Sequence, residues 1–154
     1  MDITARKERE IHVGEEAELL RSLVESMPGV PWTYTVDDPA DWRPVYIAPQ
    51  VQQLIGYSAA ELMSEPRFFQ RLVHPDDLAG ILALAGRSIL RGEPLLAEFR
   101  VKTRDGRILW LRSRGNPGRD DRGRPVLHGV WIDVTAERER TGMDTREPHE
   151  QRER

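Results

Sequence analysis

AEFRVKTRDGRILWLRSR, residues 97–114, is the stretch whose reading decides how this chain folds. Ala97, Phe99 and Val101 alternate with Glu98, Arg100 and Lys102, and Leu109, Leu111 and Ser113 alternate with Trp110, Arg112 and Arg114. A period of two is the mark of a half-buried strand, so two strands flank the turn at Asp105-Gly106. With Arg104, that pair makes a three-residue hairpin loop whose glycine takes the left-handed corner. The register follows: Val101 and Leu109 share a face with Phe99 and Leu111, while Glu98 faces Arg112 and Arg100 faces Trp110 on the other side.

Working outward, a polar loop over Asn116–Arg124 leads to a last strand over Pro125–Val134. Upstream, the spacing predicts a helix over Pro75–Leu90, with Pro75 at its first position, Asp76 and Asp77 at its positive end and Gly92 beyond its close. Leu78, Ile81, Leu82, Ala85 and Ile89 form its apolar face. Two short helical pieces occupy Pro49–Glu65, split at Gly56, the second opened by Ser58 with Glu61 at capping-box spacing. Val30–Val36 and Arg43–Ala48 read as a strand hairpin. Before them an amphipathic helix carries Ala17, Leu19, Leu20, Leu23, Val24 and Met27.

Strands, then helices, then strands imply an α+β chain: an antiparallel sheet with helices packed on one face. The expected organisation is a flexible leader over 1–14, the amphipathic helix over 15–29, a core over 30–135, and a short helix with a disordered charged tail over 136–154.

Composition closes several routes. The chain has 154 residues, enough for one proper core, with net charge −3 and no cysteine. The balance of charge argues against nucleic acid or an anionic membrane as partner, and the absence of cysteine excludes disulfides, thiolate metal sites and cysteine nucleophiles. Residues 100–124 carry nine Lys or Arg against three acids. Without a stacking platform or a recognition helix, they suit the solvent side of a sheet better than a nucleic acid. No apolar run approaches the ~20 residues of a membrane helix, so a cytoplasmic location is expected. His74-Pro75-Asp76-Asp77 places a histidine beside carboxylates, but adjacent acids diverge on a helix and the group reads as helix-start chemistry; no metal site is expected.

Several short motifs now stand in order: Val45-Tyr46-Ile47-Ala48-Pro49-Gln50, Leu54-Ile55-Gly56-Tyr57-Ser58, Val73-His74-Pro75-Asp76-Asp77, Glu98-Phe99-Arg100, Asp105-Gly106, Trp110, Gly129 and Asp133-Val134-Thr135. Over about Leu20–Arg140 the chain resembles the PAS domains, and in particular the bacterial subgroup that ends in a PAC motif closing on Asp-(Ile/Val)-Thr. That resemblance implies a PAS fold: a five-stranded antiparallel sheet, helices on one face, and a cavity between them. It also implies a sensor that relays a conformational bias to an effector.

On that reading the cavity candidates are Phe99, Val101, Leu109, Leu111 and Trp131 from the sheet, facing Leu54, Ile81, Leu82, Ala85 and Phe68 or Phe69 from the helices. Such a lining suits a small apolar ligand, although a filled core would use the same side chains and is the first expectation. Haem is not expected, because the long helix has no histidine, nor is a covalent flavin adduct, because there is no cysteine. Trp131 stands where flavin-binding relatives carry a glutamine. Leu19, Leu20 and Leu23 with Trp110, Val130 and Ile132 are the interface candidates, the helix folding over the sheet or pairing with a second copy to give a homodimer. Asp105, Gly106, Asp133 and Thr135 are the signal-coupling candidates that the resemblance implies.

The resulting expectation is a non-catalytic signalling module acting on an effector in trans. The alternative is the sensor portion of a histidine kinase or diguanylate cyclase without its catalytic domain. A small hydrolase would need a nucleophile, base and orienting group that four scattered histidines do not supply.

Overall fold

The computed structural model describes the backbone of residues 2–38 and 41–141 and the side chains of residues 14–36 and 42–141. The chain runs α1 (Asp2–Ser26), β1 (Val30–Asp38), β2 (Asp41–Ile47), α2 (Val51–Ile55), α3 (Ala59–Ser64), α4 (Phe68–Leu72), α5 (Pro75–Arg91), β3 (Leu95–Lys102), β4 (Ile108–Arg119) and β5 (Pro125–Asp133), and residues 135–141 are helical again. The strands form one antiparallel sheet in the order β2-β1-β5-β4-β3. Since β2 and β3 lie at opposite edges, the chain between them must cross the sheet, and it does so on one face as α2 to α5. That crossing encloses the core. The alternation along β3 and β4 turns Phe99, Val101, Leu109 and Leu111 inward, all of them buried.

The hairpin has the register its turn demands, with Glu98 opposite Arg112, Phe99 opposite Leu111 and Arg100 opposite Trp110. Gly106 takes φ +90°, the left-handed corner open to glycine, and its N–H donates to the Thr103 carbonyl. Ser58 and Glu61 form the expected capping box.

Four expectations are corrected. First, the leader expected over 1–14 is helical from Asp2 onward, so α1 begins well before Glu15. Its early residues Ala5 to Glu10 are good helix formers, and Gly14 lowers the propensity by only about 1 kcal/mol. Second, the loop expected over Asn116–Arg124 is shorter, because β4 continues to Arg119 and pairs with β5 as far as Arg119 opposite Pro125. Beyond Gly115 the partner β3 has ended, so Pro117 sits where a missing N–H is tolerated. The turn itself is held by Asp120, whose carboxylate accepts from the Arg122 and Arg124 N–H groups. Third, a further short helix, α4, follows Pro66; one turn is too brief to show a period. Fourth, α1 does not fold back over the sheet: Leu19, Leu20 and Leu23 are each more than half exposed, and only Val24 packs on the core. The Gln50 side-chain amide holds the end of α1, donating to the carbonyls of Val24 and Gly29 at 2.7 and 3.0 Å. The tail expected to be disordered lies, from residue 142 on, outside the described residues.

Asp77, in the first turn of α5, pins that helix to β3. Its carboxylate accepts from the Arg100 backbone N–H at 2.9 Å and from the guanidinium at 2.8 and 2.9 Å. Those side-chain bonds from Arg100 pull the Asp77 pKa down from 3.8 to about 2. A depressed folded-state pKa stabilises the fold above the unfolded value and is lost as pH falls through the folded one. The contribution of Asp77 is therefore complete at neutral pH, declines below 3.8 and is gone near 2. Discounted for partial exposure, Asp77→Asn is expected to cost about 1–2 kcal/mol at neutral pH and almost nothing near pH 2. Urea unfolding of both proteins across that range checks it; a constant difference would assign the loss to packing instead.

Candidate functional site

Between α5 and the inner face of the sheet lies an apolar cavity of about 60 Å³. Its sheet wall is built by Trp32, Tyr34, Trp42, Leu95, Phe99, Ser113, Leu127 and Trp131, and its opposite wall by Phe69 and Gln70 of α4, Leu78, Ile81, Leu82 and Ala85 of α5, and Val73 between the two helices. Trp131 organises the wall. It stacks on Phe69 at 4.1 Å with the rings nearly parallel, and on Trp32 at 5.5 Å, while Tyr34 meets Trp32 edge-on at 5.7 Å. Such contacts hold large rings in place and leave a space with fixed walls. Burial raises the pKa of the Tyr34 phenol, so it stays neutral.

Of the cavity candidates, the structure brings together Phe99, Trp131, Ile81, Leu82 and Ala85, with Phe69 as the aromatic from the helices. Val101, Leu109 and Leu111 are buried in the same core but stand outside the cavity wall, Val101 and Leu109 paired nearer the hairpin turn and Leu111 opposite Phe99. Val73, itself in the cavity wall, bridges to Val101. Leu54 lines a different cleft, with Met27, Pro28, Gly29, Val30, Gln50, Gln53, Trp131 and Asp133, where α1 joins the core. Trp32, Tyr34 and Trp42 went unassigned in the sequence. The signal for the first two was the alternation Val30, Trp32, Tyr34, Val36, all of which are buried.

The outer face of the sheet carries the second constellation. Trp110 is half-buried, covered by the Arg138 guanidinium at 3.7 Å from the ring centre and flanked by Arg100 at 5.3 Å. Arg138 also pairs with Glu98 at 2.9 Å and Arg112 bridges Glu98 and Glu137, so the helix at 135–141 is docked on the sheet by a cation–π contact and two ion pairs, Arg138–Glu98 and Arg112–Glu137, with Arg112–Glu98 tying the two strands beneath. Burial raises the Glu98 pKa, but hydrogen bonds from Arg112 and Arg138 outweigh it and the net shift is downward. Asp133 starts that helix by accepting from the backbone N–H and the hydroxyl of Thr135, whose hydroxyl oxygen in turn accepts from the backbone N–H of Trp110. Val130 and Ile132 are partly shielded where Gly29 crosses them. Asp105 and Gly106, by contrast, belong to the hairpin turn, with Asp105 bonded to Thr103 and Arg107.

Among the described residues there is no group of three His, Asp or Glu placed to hold a metal ion, and no helix is long and apolar enough to cross a membrane.

Comparison with known proteins adds the following. The family model described as PAS fold matches residues 44–131. The uncharacterized protein y4lL of Sinorhizobium fredii is 32% identical over 123 residues, which cover 80% of this chain; the chain spans 14% of that protein's length. The sensory box histidine kinase/response regulator structure from Burkholderia thailandensis is similar with a TM-score of 0.64 at 25% identity, covering 89% of this chain and 98% of that one. The N-terminal domain of a diguanylate cyclase with PAS/PAC sensor from Marinobacter aquaeolei is similar in fold, with a TM-score of 0.61 at 24% identity, covering 71% and 98%.

Proposed function

Since the chain belongs to the PAS fold family, whose model matches residues 44–131, we propose that it is a non-catalytic sensory module. In this reading a small apolar molecule occupies the cavity behind Trp131, and the helix at 135–141 passes the change to an effector in trans. The observation that carries the reading is a continuous connection from cavity to helix. Leu78 of the cavity wall adjoins Asp77; Asp77 holds Arg100; Arg100 and Arg138 lie against the same Trp110; and Arg138 belongs to the helix at 135–141. A ligand that displaces α5 would act on a contact that the helix at 135–141 also makes, and an element on which both sites act is what coupling requires.

Homodimerisation belongs to the same proposal, supported by the exposed Leu19, Leu20 and Leu23 of α1 and Met27 just beyond it. We place the module in the cytoplasm, in keeping with a sequence in which no apolar run approaches the ~20 residues of a membrane helix. A second reading, the sensor portion of a histidine kinase or diguanylate cyclase, is supported by the likeness to the Burkholderia thailandensis kinase and by the small share of the y4lL protein that the chain spans.

Native mass spectrometry of the chain purified from its host, repeated after denaturation, tests the central claim. An excess mass that disappears on denaturation is the expected result; a bare chain would remove the ligand from the proposal. Turnover of any substrate by the isolated chain would overturn the non-catalytic assignment.

A further inference from the structure

The helix at 135–141 meets the sheet through charge and not through apolar packing. Val134 ahead of it is buried, but every residue from Ala136 to Thr141 is exposed, and Ala136 is the one aliphatic side chain among them. Arg138 meets Glu98 at 2.9 Å and Glu137 meets Arg112 at 3.0 Å, with the side chains of Arg138 and Glu137 42% and 51% exposed. The Arg138 guanidinium also lies over the Trp110 ring.

Contacts of this kind answer to salt differently from the rest of the fold. Charges open to solvent are screened over a distance that shrinks from about 30 Å at 0.01 M ionic strength to about 3 Å at 1 M. Buried apolar contacts are not screened, and sulfate strengthens them. The inner face of the sheet, where Phe99, Leu111 and Trp131 are buried, is of that second kind. Asp77 and Arg100 stand between the two, with side chains 18% and 30% exposed, and are screened less than the helix contacts.

We propose that the helix at 135–141 is a latch set by ionic strength, docked on the outer face in dilute salt and released as salt rises, while the core stays folded. Release uncovers Trp110 and leaves Glu98 paired with Arg112 across the strands. Dissolved ions then act on the same helix that a cavity guest would act on. Its role as a signal rests on the reading of this helix as the output element; the docking equilibrium does not.

Proton–nitrogen correlation spectra of the full chain, recorded from about 0.01 to about 0.5 M sodium chloride, test the latch. Two reporters serve: the Trp110 indole, which Arg138 covers, and the Arg138 amide, which donates to the Val134 carbonyl at 2.9 Å when the helix is formed. The ratio of docked to released helix is expected to fall about fivefold across that range, while amides of β4 stay unchanged. Sodium sulfate at matched ionic strength should do the same, because screening does not distinguish the two salts; docking that sulfate strengthens would mean apolar contact and overturn the proposal. Glu98→Gln with Glu137→Gln removes both ion pairs to the helix and should lower the ratio to a value that salt no longer moves. A salt response kept by that variant, or a helix equally docked at every ionic strength, would also overturn the latch. None of these spectra requires a guest in the cavity, so the latch and the ligand site fail separately.

Discussion

Gly129→Ala is expected to cost more than about 3 kcal/mol, the upper end of what overpacking exacts, and to leave little folded protein at physiological temperature. Gly129 faces Trp32 on β1 and Gly115 on β4, in the middle of the sheet. A Cβ there would stand 2.2 Å from Cζ2 of Trp32 and 2.4 Å from the carbonyl oxygen of Arg114. Neither neighbour has freedom to yield. The indole is stacked on Trp131 and edge-on to Tyr34, and the carbonyl belongs to the adjoining strand, so moving it breaks the ladder. Gly115→Ala is the milder comparison, because its nearest contacts, the His128 carbonyl oxygen and the same indole, stand at 3.0 and 3.3 Å and need give only a few tenths of an ångström. Denaturant unfolding of the two variants checks the contrast. Equal midpoints would mean that Trp32 swings aside, and the cavity would then have a movable wall.

That glycine marks what the sequence does and does not disclose. Its place in the ordered motifs was visible, and so was the β3–β4 register, because Asp105-Gly106 admits one turn and the turn fixes every cross-strand pair. The reason for the glycine was not visible: it lies in Trp32, 97 positions upstream in the chain, brought opposite by the pairing of the first strand with the last. The cavity was legible only in part for the same kind of reason. Alternation assigns Phe99, Val101, Leu109 and Leu111 to one face, but which of them border a space depends on where α5 and Val73 come to rest. Arg138 is a third case. Pairing within the hairpin put Arg100 opposite Trp110, while the second cation arrives only because the chain reverses after Asp133 and lays its last described helix on the outer face.

The exposed stripe on α1 carries the other large expected effect. Leu19, Leu20 and Leu23, with Met27 just past the last turn, recur at helical spacing and are 60%, 61%, 53% and 46% exposed, and the helix is tied to the core near its end through Val24 and the Gln50 amide. A symmetric pair of such helices buries each leucine twice, at about 1.5–3 kcal/mol per side chain fully removed from water. Leu19→Glu with Leu23→Glu is therefore expected to raise the dimer dissociation constant at least 100-fold, adding repulsion between like charges where apolar contacts were. Within a protomer the same substitutions meet only water, so thermal stability under monomeric conditions should change by no more than about 0.5 kcal/mol. Leu90→Glu supplies the comparison, because that leucine is 88% exposed on α5, away from the stripe, and its loss should leave association intact. Sedimentation equilibrium of the three proteins reads the outcome. A chain that is already monomeric before substitution, or a dimer that Leu90→Glu breaks as readily, would move the interface off α1 and leave the stripe without a role in self-association.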